Sequence, residues 1–391
     1  MNVARTDRDI RRHFSPLQMG WLSRAVEPLN ADSDAAWALE LLAEHEGLDA
    51  LPIERDGTIV GMVAKSVLLD ITDSRWKQLW QRDLDAYSVS VRRIVEATDY
   101  IDRIVAKDLS TVQHEAQGWY VVHYRRSYLG IVNLRTMLEH LNRLRDQDLR
   151  RAGEIQRHLL HRNLPSDPRF GINFFNRMAY EIGGDFYRAV SIGTDRWLVA
   201  CFDVAGKNIS GALATSAFGA FFASMKLFSY NGEAKSTTGL LNAMVRDVNP
   251  DEVFVAACLF YIDLEKGQVE IHNCGFSPVY AFSSRPGRVL ECEPTQPNMP
   301  PLGILDELDF TDTRILPIKP GLRLAAYSDG LSDMTDPFGE RYGDERTLEF
   351  LRGCHDCPPA SLNDRVVKEI DRWIGESHLA DDITLVDIRF S

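Results

Sequence analysis

The stretch RWLVACFDVAGKNISGALA, residues 196–214, shows the pattern that decides the fold of the C-terminal part of the chain. It begins with a nearly continuous apolar run, which predicts a strand covered on both faces. Asp203 stands at the end of this run, and a glycine turn and a helical pattern follow. A carboxylate at the end of a buried strand is costly unless it is paired, hydrogen-bonded or bound to a metal. Such an aspartate more often caps a turn, so one acid alone does not indicate a site.

The same pattern of apolar strands and amphipathic helices continues to residue 391. Glu265-Lys266-Gly267 predicts a tight turn, so the strands on either side are antiparallel. Antiparallel hairpins with long covering helices predict two sheets between helical layers rather than a doubly wound fold. The predicted strands are 196–205, 253–264, 268–275, 322–330 and 383–390, and the predicted helices are 211–228, 237–248 and 361–374.

Three further aspartates resemble Asp203 in their setting. Asp185 lies in EIGGDFY, Asp329 in YSDGLSD and Asp381 in LADDITL, each beside a glycine or another acid. Four such acids in one domain are harder to explain as separate turn caps. Clustered carboxylates without nearby His or Cys are hard oxygen ligands, which suit Mg²⁺ or Mn²⁺ and argue against zinc.

Five motifs in order carry a specific resemblance. Together they resemble the SpoIIE-type branch of the PPM metal-dependent protein phosphatases, and RRAGEIQRHLL (150–160) with Leu164-Pro165 is similar to the usual entry to that domain. The resemblance covers residues 150–391 and implies an α+β fold, the PPM-type α-β-β-α sandwich. The motifs are EIGGDFY (181–187), DVAGKNISGALA (203–214), LGI (302–304), SDGLSD (328–333) with FGERYGDERT (338–347), and DDITLVDI (381–388).

The resemblance also implies a site for two Mn²⁺ or Mg²⁺ ions. Asp203 would bridge the ions, and the carbonyl of Val204 would bind the second. Asp329 and Asp381 would complete the first, and Asp185 would lie on the second ion directly or through water. Two such cations lower the pKa of a bridging water and align it for in-line attack on a phosphate. The implied activity is hydrolysis of phosphoserine or phosphothreonine.

Several positions depart from the usual motifs. Asp382 stands where many relatives have Asn and would support the ligands from behind. Asp333 would either help a third cation or cap its turn. Ala205 replaces a histidine that could act as a general acid, so proton delivery would fall to metal-bound water. His272 is another candidate acid, although a satisfied core or surface histidine is the commoner case.

Two more departures lie close to these motifs. Cys274 and Phe276 occupy the usual Ala and His places in NCGFSP, which we expect to alter packing or the rim of the site and not the metal ligands. Lys207 could attract a substrate phosphate, but a solvated lysine is more typical.

The N-terminal residues 1–138 show a weak internal repeat. ALPIERDGTIVGMVA (50–64) predicts a hairpin that turns at Asp56-Gly57, and GWYVVHYRRSYLGIVNL (118–134) repeats the form. The pattern resembles two copies of a CBS module, which often binds adenine nucleotides. Here Ala64 and Asn133 replace the expected Ser or Thr, and Val67 and Thr136 replace the expected Asp. A structural or dimerising pair, or one with another ligand, is therefore favoured over an adenylate sensor.

A helical linker, residues 139–163, separates this pair from the phosphatase-like domain, residues 164–391. The segment 134–163 contains no proline and has a heptad-like apolar stripe. Arg145 and Asp148 interrupt the stripe. The linker is thus predicted to connect two subunits of a homodimer, and a rigid spacer is the alternative. The apolar positions are Leu134, Leu138, Leu141, Ala152, Ile155 and Leu159.

Composition limits the remaining classes. The chain has 391 residues, 57 acids against 44 bases and a net charge of −13, which argues against a general nucleic-acid binder. No apolar run is long enough to span a membrane, and because the first residues are charged and lack an apolar segment, we expect no secretory signal there. Six cysteines form no disulfide pattern, and the Cys354-x-x-Cys357 pair lacks the second pair that zinc requires. A cytoplasmic location is expected.

The leading hypothesis is a metal-dependent protein phosphatase that the CBS-like pair and linker regulate. By resemblance, its substrate would be a phosphorylated STAS-type anti-anti-sigma protein. The alternative is a catalytically silent CBS sensor whose phosphatase-like domain binds a signalling partner.

Overall fold

The computed structural model describes residues 11–45, 47–73, 84–90, 93–108, 118–160, 167–206, 209–248, 253–283 and 291–391. The chain divides into two compact units, Met1–Gln147 and Asp148–Ser391, and the division falls inside one long helix. Among the helices in the described ranges, none has the length and apolarity needed to cross a bilayer.

The N-terminal unit contains the same order of elements twice. In each copy a short strand pairs in parallel with the first strand of a hairpin, whose two strands are antiparallel. The first copy comprises β1 (Leu29–Asn30), α2 (Ala35–Glu44), β2 (Ala50–Arg55), β3 (Thr58–Ala64) and α3 (Lys65–Asp73), with α1 (Met19–Leu22) before it and β4 (Val89–Ser90) after it. The second comprises β5 (Ile94–Glu96), α4 (Ile101–Asp108), β6 (Trp119–Tyr124), β7 (Ser127–Asn133) and the start of α5 (Leu134–Leu159).

The two hairpins match in detail. The first turns through Asp56 and Gly57, as predicted, and both residues have positive φ. The second turns through Arg125 and Arg126, which also have positive φ. Two-residue hairpins need this left-handed backbone because its twist matches that of the strands. The internal repeat is therefore present in the fold, and its assignment to the CBS family stays a prediction.

Helix α5 confirms that the segment after β7 is helical. Leu134, Leu138 and Leu141 pack on the core of the N-terminal unit, so this part of the apolar stripe is covered within its own unit. Ile155, in contrast, has 64% of its surface exposed. Arg145 and Asp148 are also exposed.

The C-terminal unit contains two sheets of five strands, and all ladder pairings within them are antiparallel. The strand order is β15-β12-β11-β10-β9 in the first sheet and β14-β13-β16-β17-β8 in the second. The strands are β8 (Phe170–Arg177), β9 (Asp185–Gly193), β10 (Arg196–Val204), β11 (Val255–Asp263), β12 (Gln268–Cys274), β13 (Val279–Ser283), β14 (Glu291–Thr295), β15 (Arg314–Pro317), β16 (Leu322–Tyr327) and β17 (Ile383–Phe390).

Three layers of apolar side chains hold these sheets and their helices together. Phe202 and Phe218 belong to the core between the first sheet and its helices, and Phe260 with Val386 to the core between the sheets. A third core joins the second sheet to the C-terminal helices. The predicted α-β-β-α sandwich is therefore confirmed. The helices are α6 (Ile209–Leu227) and α7 (Ala234–Val248) on the first sheet, and α8 (Asp329–Asp333), α9 (Gly343–Gly353) and α10 (Pro359–Ile374) near the second.

One predicted strand is too long. The apolar run was expected to continue from 322 to 330, but β16 ends at Tyr327. Ser328 is extended, and Asp329 begins the short helix α8. Gly330 lies against the backbone of Asp382, where a Cβ atom would overlap the carbonyl oxygen. The chain therefore leaves the sheet immediately before Asp329.

The N-terminal unit yields a prediction about nucleotides. Asn133 Oδ1 accepts a hydrogen bond from the Thr136 amide at 2.9 Å, so this side chain is already engaged at the start of α5. Ala64 and Val67 provide no polar group at the matching places of the first copy. We expect AMP and ATP to give no saturable heat in calorimetry of the whole chain. Micromolar affinity for either nucleotide would contradict this expectation.

Candidate functional site

Strand pairing brings the four predicted aspartates to one end of the two sheets. Asp185 is the first residue of β9, and the register places it directly opposite Asp203 on β10. Asp329 follows β16 and Asp381 precedes β17. Because β16 and β17 are antiparallel neighbours, the end of one and the start of the other lie at the same edge.

A cleft of about 330 Å³ opens at this end. The carboxylates of Asp203, Asp329 and Asp381 line it together with Asp382 and Val204. Among the described residues that line the cleft, none is Lys, Arg or His. The cleft is therefore strongly acidic.

Asp185 differs from the other three aspartates. It is only 1% exposed and is absent from the described lining of the cleft. The Ser328 hydroxyl donates a hydrogen bond to Asp185 Oδ2 at 2.8 Å and accepts one from the Thr384 amide at 2.8 Å. Asp185 thus lies in the floor of the site, held by the second sheet.

Burial and like charges oppose ionisation of these carboxylates. Burial, followed by the charges of Asp329 and Asp381, raises the pKa of Asp203 to about 7. Burial and the neighbouring Asp203 raise the pKa of Asp185 well above its usual value. Each neighbouring negative charge disfavours the charged form of the others. A bound cation would relieve this repulsion.

Asp382 connects the aspartates to the loop before β9. Its Oδ1 atom accepts a hydrogen bond from the Ala179 amide at 2.8 Å, and its Oδ2 atom accepts one from the Gly184 amide at 2.7 Å. A side chain at Gly183 would overlap this carboxylate, and a Cβ atom at Gly184 would lie 3.0 Å from the Val204 carbonyl oxygen. Glycine is needed at position 183 because the Asp382 carboxylate lies against its backbone, whereas a Cβ atom at position 184 would force its neighbours to move by a few tenths of an ångström.

The chemistry of these donors fits a hard divalent cation. Asp203, Asp329, Asp381 and the Val204 carbonyl offer oxygen atoms only, which Mg²⁺ and Mn²⁺ prefer. Across the described ranges, no three Asp, Glu, His or Cys side chains are gathered into a complete metal-binding group. Water would complete the coordination, since Mg²⁺ in proteins usually keeps several water ligands.

The other candidate residues fall into different places. Asp333 forms an ion pair with Arg341 and is not among the described residues of the cleft wall. Ala205 does line the cleft. Lys207 lies outside the described residues.

His272 is a satisfied core residue. It is fully buried, with its ring nitrogens 2.6 Å from the Thr238 hydroxyl and 2.9 Å from the Glu270 carboxylate. Cys274 and Phe276 are also buried in the core, which agrees with the expected effect on packing.

Two polar residues of the site were missed in the sequence. Ser328 was visible only as the residue before Asp329, and its role depends on the second sheet lying beside Asp185. Gln156 lies in the motif that precedes the domain, and it is 2% exposed. In the sequence Gln156 stands between Ile155 and Arg157 in a largely polar stretch, so nothing there marks it as buried.

Comparison with known proteins agrees with this geometry. The sequence model of the family described as Stage II sporulation protein E (SpoIIE) matches residues 193–391, just over half of the chain. The chain belongs to the SpoIIE family. Similar curated proteins include Protein IcfG of Synechocystis sp., 26% identical over 294 residues, which are 68% of this chain and 44% of that protein. Phosphoserine phosphatase RsbP of Bacillus subtilis is 24% identical over 254 residues, 64% of this chain and 59% of that protein.

Solved structures support the same fold for this SpoIIE-family chain. The SiaA-PP2C domain of Pseudomonas aeruginosa superposes with a TM-score of 0.54 and is 22% identical in sequence. The match covers 64% of this chain and 99% of that domain. The chain therefore has the PP2C fold. It spans about half the length of the curated relatives that it matches.

The Ser328 contacts yield a stability prediction. Ser328→Ala removes a donor to Asp185 and an acceptor for the Thr384 amide, and so leaves both buried groups short of a partner. We expect the free energy of unfolding to fall by about 1–3 kcal/mol. Ser332→Ala is the matched control, because the Ser332 hydroxyl donates to the Asp329 carbonyl within its own helix. Urea unfolding of both variants measures the difference, and equal stabilities would contradict the assigned role of Ser328.

Proposed function

We propose that this chain is a metal-dependent serine/threonine protein phosphatase. The observation that carries the proposal is the convergence of Asp203, Asp329 and Asp381 on one acidic cleft within a SpoIIE-family PP2C fold. The similar protein RsbP is named a phosphoserine phosphatase, which supports the same reaction here.

Each residue has a distinct proposed task. Asp203 would serve both of two Mn²⁺ or Mg²⁺ ions, Asp329 and Asp381 would hold the first ion, and the Val204 carbonyl would hold the second. Asp185 would support the second ion, directly or through water. When bound, the ions supply Lewis-acid chemistry, which activates water and screens the phosphate charge.

The cleft walls also limit how protons move. Ala205 lies at the position where better-known relatives place a histidine, and a methyl group cannot donate a proton to the leaving oxygen. His272 is fully buried in its own hydrogen-bond network, so it does not reach the cleft. Protonation of the leaving serine oxygen is therefore assigned to solvent in the cleft.

The substrate is proposed to be a phosphoprotein, and by family resemblance a phosphorylated STAS-domain protein of a partner-switching circuit. The exposed aromatic residues Tyr180 and Phe254 line the cleft and are 55% and 43% exposed. Exposed aromatic side chains beside a polar site are typical of protein contacts. Phosphate release from a panel of phosphorylated STAS proteins would identify the substrate. The reaction is proposed to occur in the cytoplasm, without nucleic acid or membrane.

Regulation is proposed to come from the N-terminal unit. Its two equal βαββα copies support a CBS-like pair, and the continuous helix α5 supports a direct connection to the catalytic unit. A homodimer through α5 and the CBS-like pair is proposed, since Ile155 remains exposed on this helix. Polar positions at Arg145 and Asp148 would allow two helix registers of similar energy.

Removal of one ligand charge tests the catalytic assignment. Asp203→Asn should abolish Mn²⁺-dependent hydrolysis of a phosphomonoester and leave the fold intact, and Asp329→Asn and Asp381→Asn should do the same. Asp263→Asn is the control, because Asp263 ends β11 and pairs with Lys266.

Rates are measured with Mn²⁺, with and without a chelator, and folding is checked by circular dichroism. Near-normal turnover by Asp203→Asn would refute the two-metal assignment. If the wild-type protein shows no turnover that a chelator removes, the alternative of a catalytically silent sensor is favoured instead.

The helix α5 yields a prediction about switching. Replacing both Arg145 and Asp148 with Leu extends the apolar stripe, so it should strengthen dimerisation and hold one register. Activity should then be fixed high or low, whatever the state of the N-terminal unit. Ultracentrifugation and Mn²⁺-dependent rates check both effects. An unchanged association constant together with an unchanged rate would identify α5 as a passive spacer.

A further inference from the structure

The buried side chain of Gln156 contacts the loop before β9. Gln156 lies on α5 within the C-terminal unit and is 2% exposed, while its neighbours Glu154 and Arg157 are exposed. Its Nε2 atom donates hydrogen bonds to the Gly183 carbonyl at 2.6 Å and to the Thr215 hydroxyl at 2.8 Å. Its Oε1 atom accepts one from the Gly183 amide at 3.1 Å.

This arrangement resembles the pairing of two strands. The amide of Gln156 satisfies both backbone groups of Gly183, as a peptide of a neighbouring strand would. Thr215 on α6 takes the second Nε2 proton, so both protons of this amide have acceptors. A buried side-chain amide with all its hydrogen bonds formed holds its neighbours in place, because any displacement leaves buried polar groups without partners.

The loop that Gln156 holds leads directly to the site. Gly184 donates to the Asp382 carboxylate at 2.7 Å, and its carbonyl accepts from the Val204 amide at 3.3 Å. Gly211 of α6 packs so closely on Gly184 that a Cβ atom there would lie 2.9 Å from its Cα atom. Because these contacts are tight, a shift of Gly183 would also move Gly184, and with it the Val204 carbonyl and Asp185.

We propose that Gln156 is a positioning residue, which holds Gly183–Asp185 in the geometry that the cleft needs to bind its cations. This inference rests on the proposed metal-dependent function and adds a link from α5 to the site. Groups behind metal ligands commonly change metal affinity or activity by about 10–100-fold when they are replaced. Gln156 acts through the backbone of the loop, so its replacement should change the affinity for metal directly, and this can be measured without a turnover assay.

The test replaces Gln156 with Met, which keeps the length of the side chain but forms none of the three hydrogen bonds. Calorimetry with Mn²⁺ should show an affinity about 10–100-fold weaker than that of the wild-type chain. Hydrogen exchange of the Gly183 and Gly184 amides in the metal-free protein should become faster. The control is Glu154→Met, two residues earlier on the exposed face of the helix, which should alter neither quantity.

A second variant separates positioning from general stability. Thr215→Val also leaves a proton of Gln156 unsatisfied, but it keeps both bonds to Gly183. We expect it to lower stability while Mn²⁺ affinity and loop exchange stay close to wild type. If Gln156→Met does not fold, Gln156→Glu replaces it, because the carboxylate keeps the shape and loses the donors to the Gly183 carbonyl.

The outcomes distinguish this inference from the proposed function. Wild-type Mn²⁺ affinity and loop exchange in the Gln156 variant would overturn the positioning role and leave the phosphatase proposal standing. Equal weakening by Thr215→Val would overturn it as well, since a general loss of stability would then suffice. Wild-type protein that binds no Mn²⁺ and matches Asp203→Asn would overturn both.

Discussion

Repulsion among carboxylates is the constraint on which the C-terminal unit depends. Asp185 and Asp203 face each other across a strand pair, and Asp329 and Asp381 add two more charges from the other sheet. Burial makes each charge harder to maintain, which is why the pKa values of Asp185 and Asp203 are raised. The Ser328 hydroxyl fixes Asp185 by a hydrogen bond, and a cation in the cleft would offset the repulsion that remains. A fold without such strong cross-sheet packing would spread these residues apart.

Packing energy comes from the three apolar layers of the sandwich. In the central layer, Phe260 of one sheet and Val386 of the other are fully buried. The two sheets therefore cannot slide past each other without exposing large apolar side chains. This rigidity matters at the edge, where one sheet supplies Asp203 and the other supplies Asp381. Ser328 spans the boundary between them, since it follows β16 of the second sheet and bonds Asp185 of the first. The core therefore sets the relative position of the two sheets, and with it that of Asp203 and Ser328.

The amino-acid sequence predicted the layers well where the patterns were strong. The continuous apolar run at 196–205 and the tight turn at Gly267 correspond to β10 and to the β11–β12 hairpin. β8, β9, β13, β14 and β15 were not predicted, and in β9, for example, Arg188 interrupts the apolar pattern. The four aspartates were found from their places beside glycine and acid. Ser328 and Gln156 were missed, because their importance comes from partners more than 20 residues away in the sequence that only the tertiary fold brings near.

The close backbone contacts at Gly183 and Gly184 have a consequence for how such a site is studied. Alanine scanning reports what a side chain contributes, and here the space is defined by two residues that have none. Replacing either glycine with alanine would count as a mild change on any chemical scale, yet the added methyl group would press on Asp382 or on the Val204 carbonyl. In a newly sequenced relative that keeps every acid, a single methyl group at Gly183 would therefore change the shape of the cleft although the number of its acids is the same.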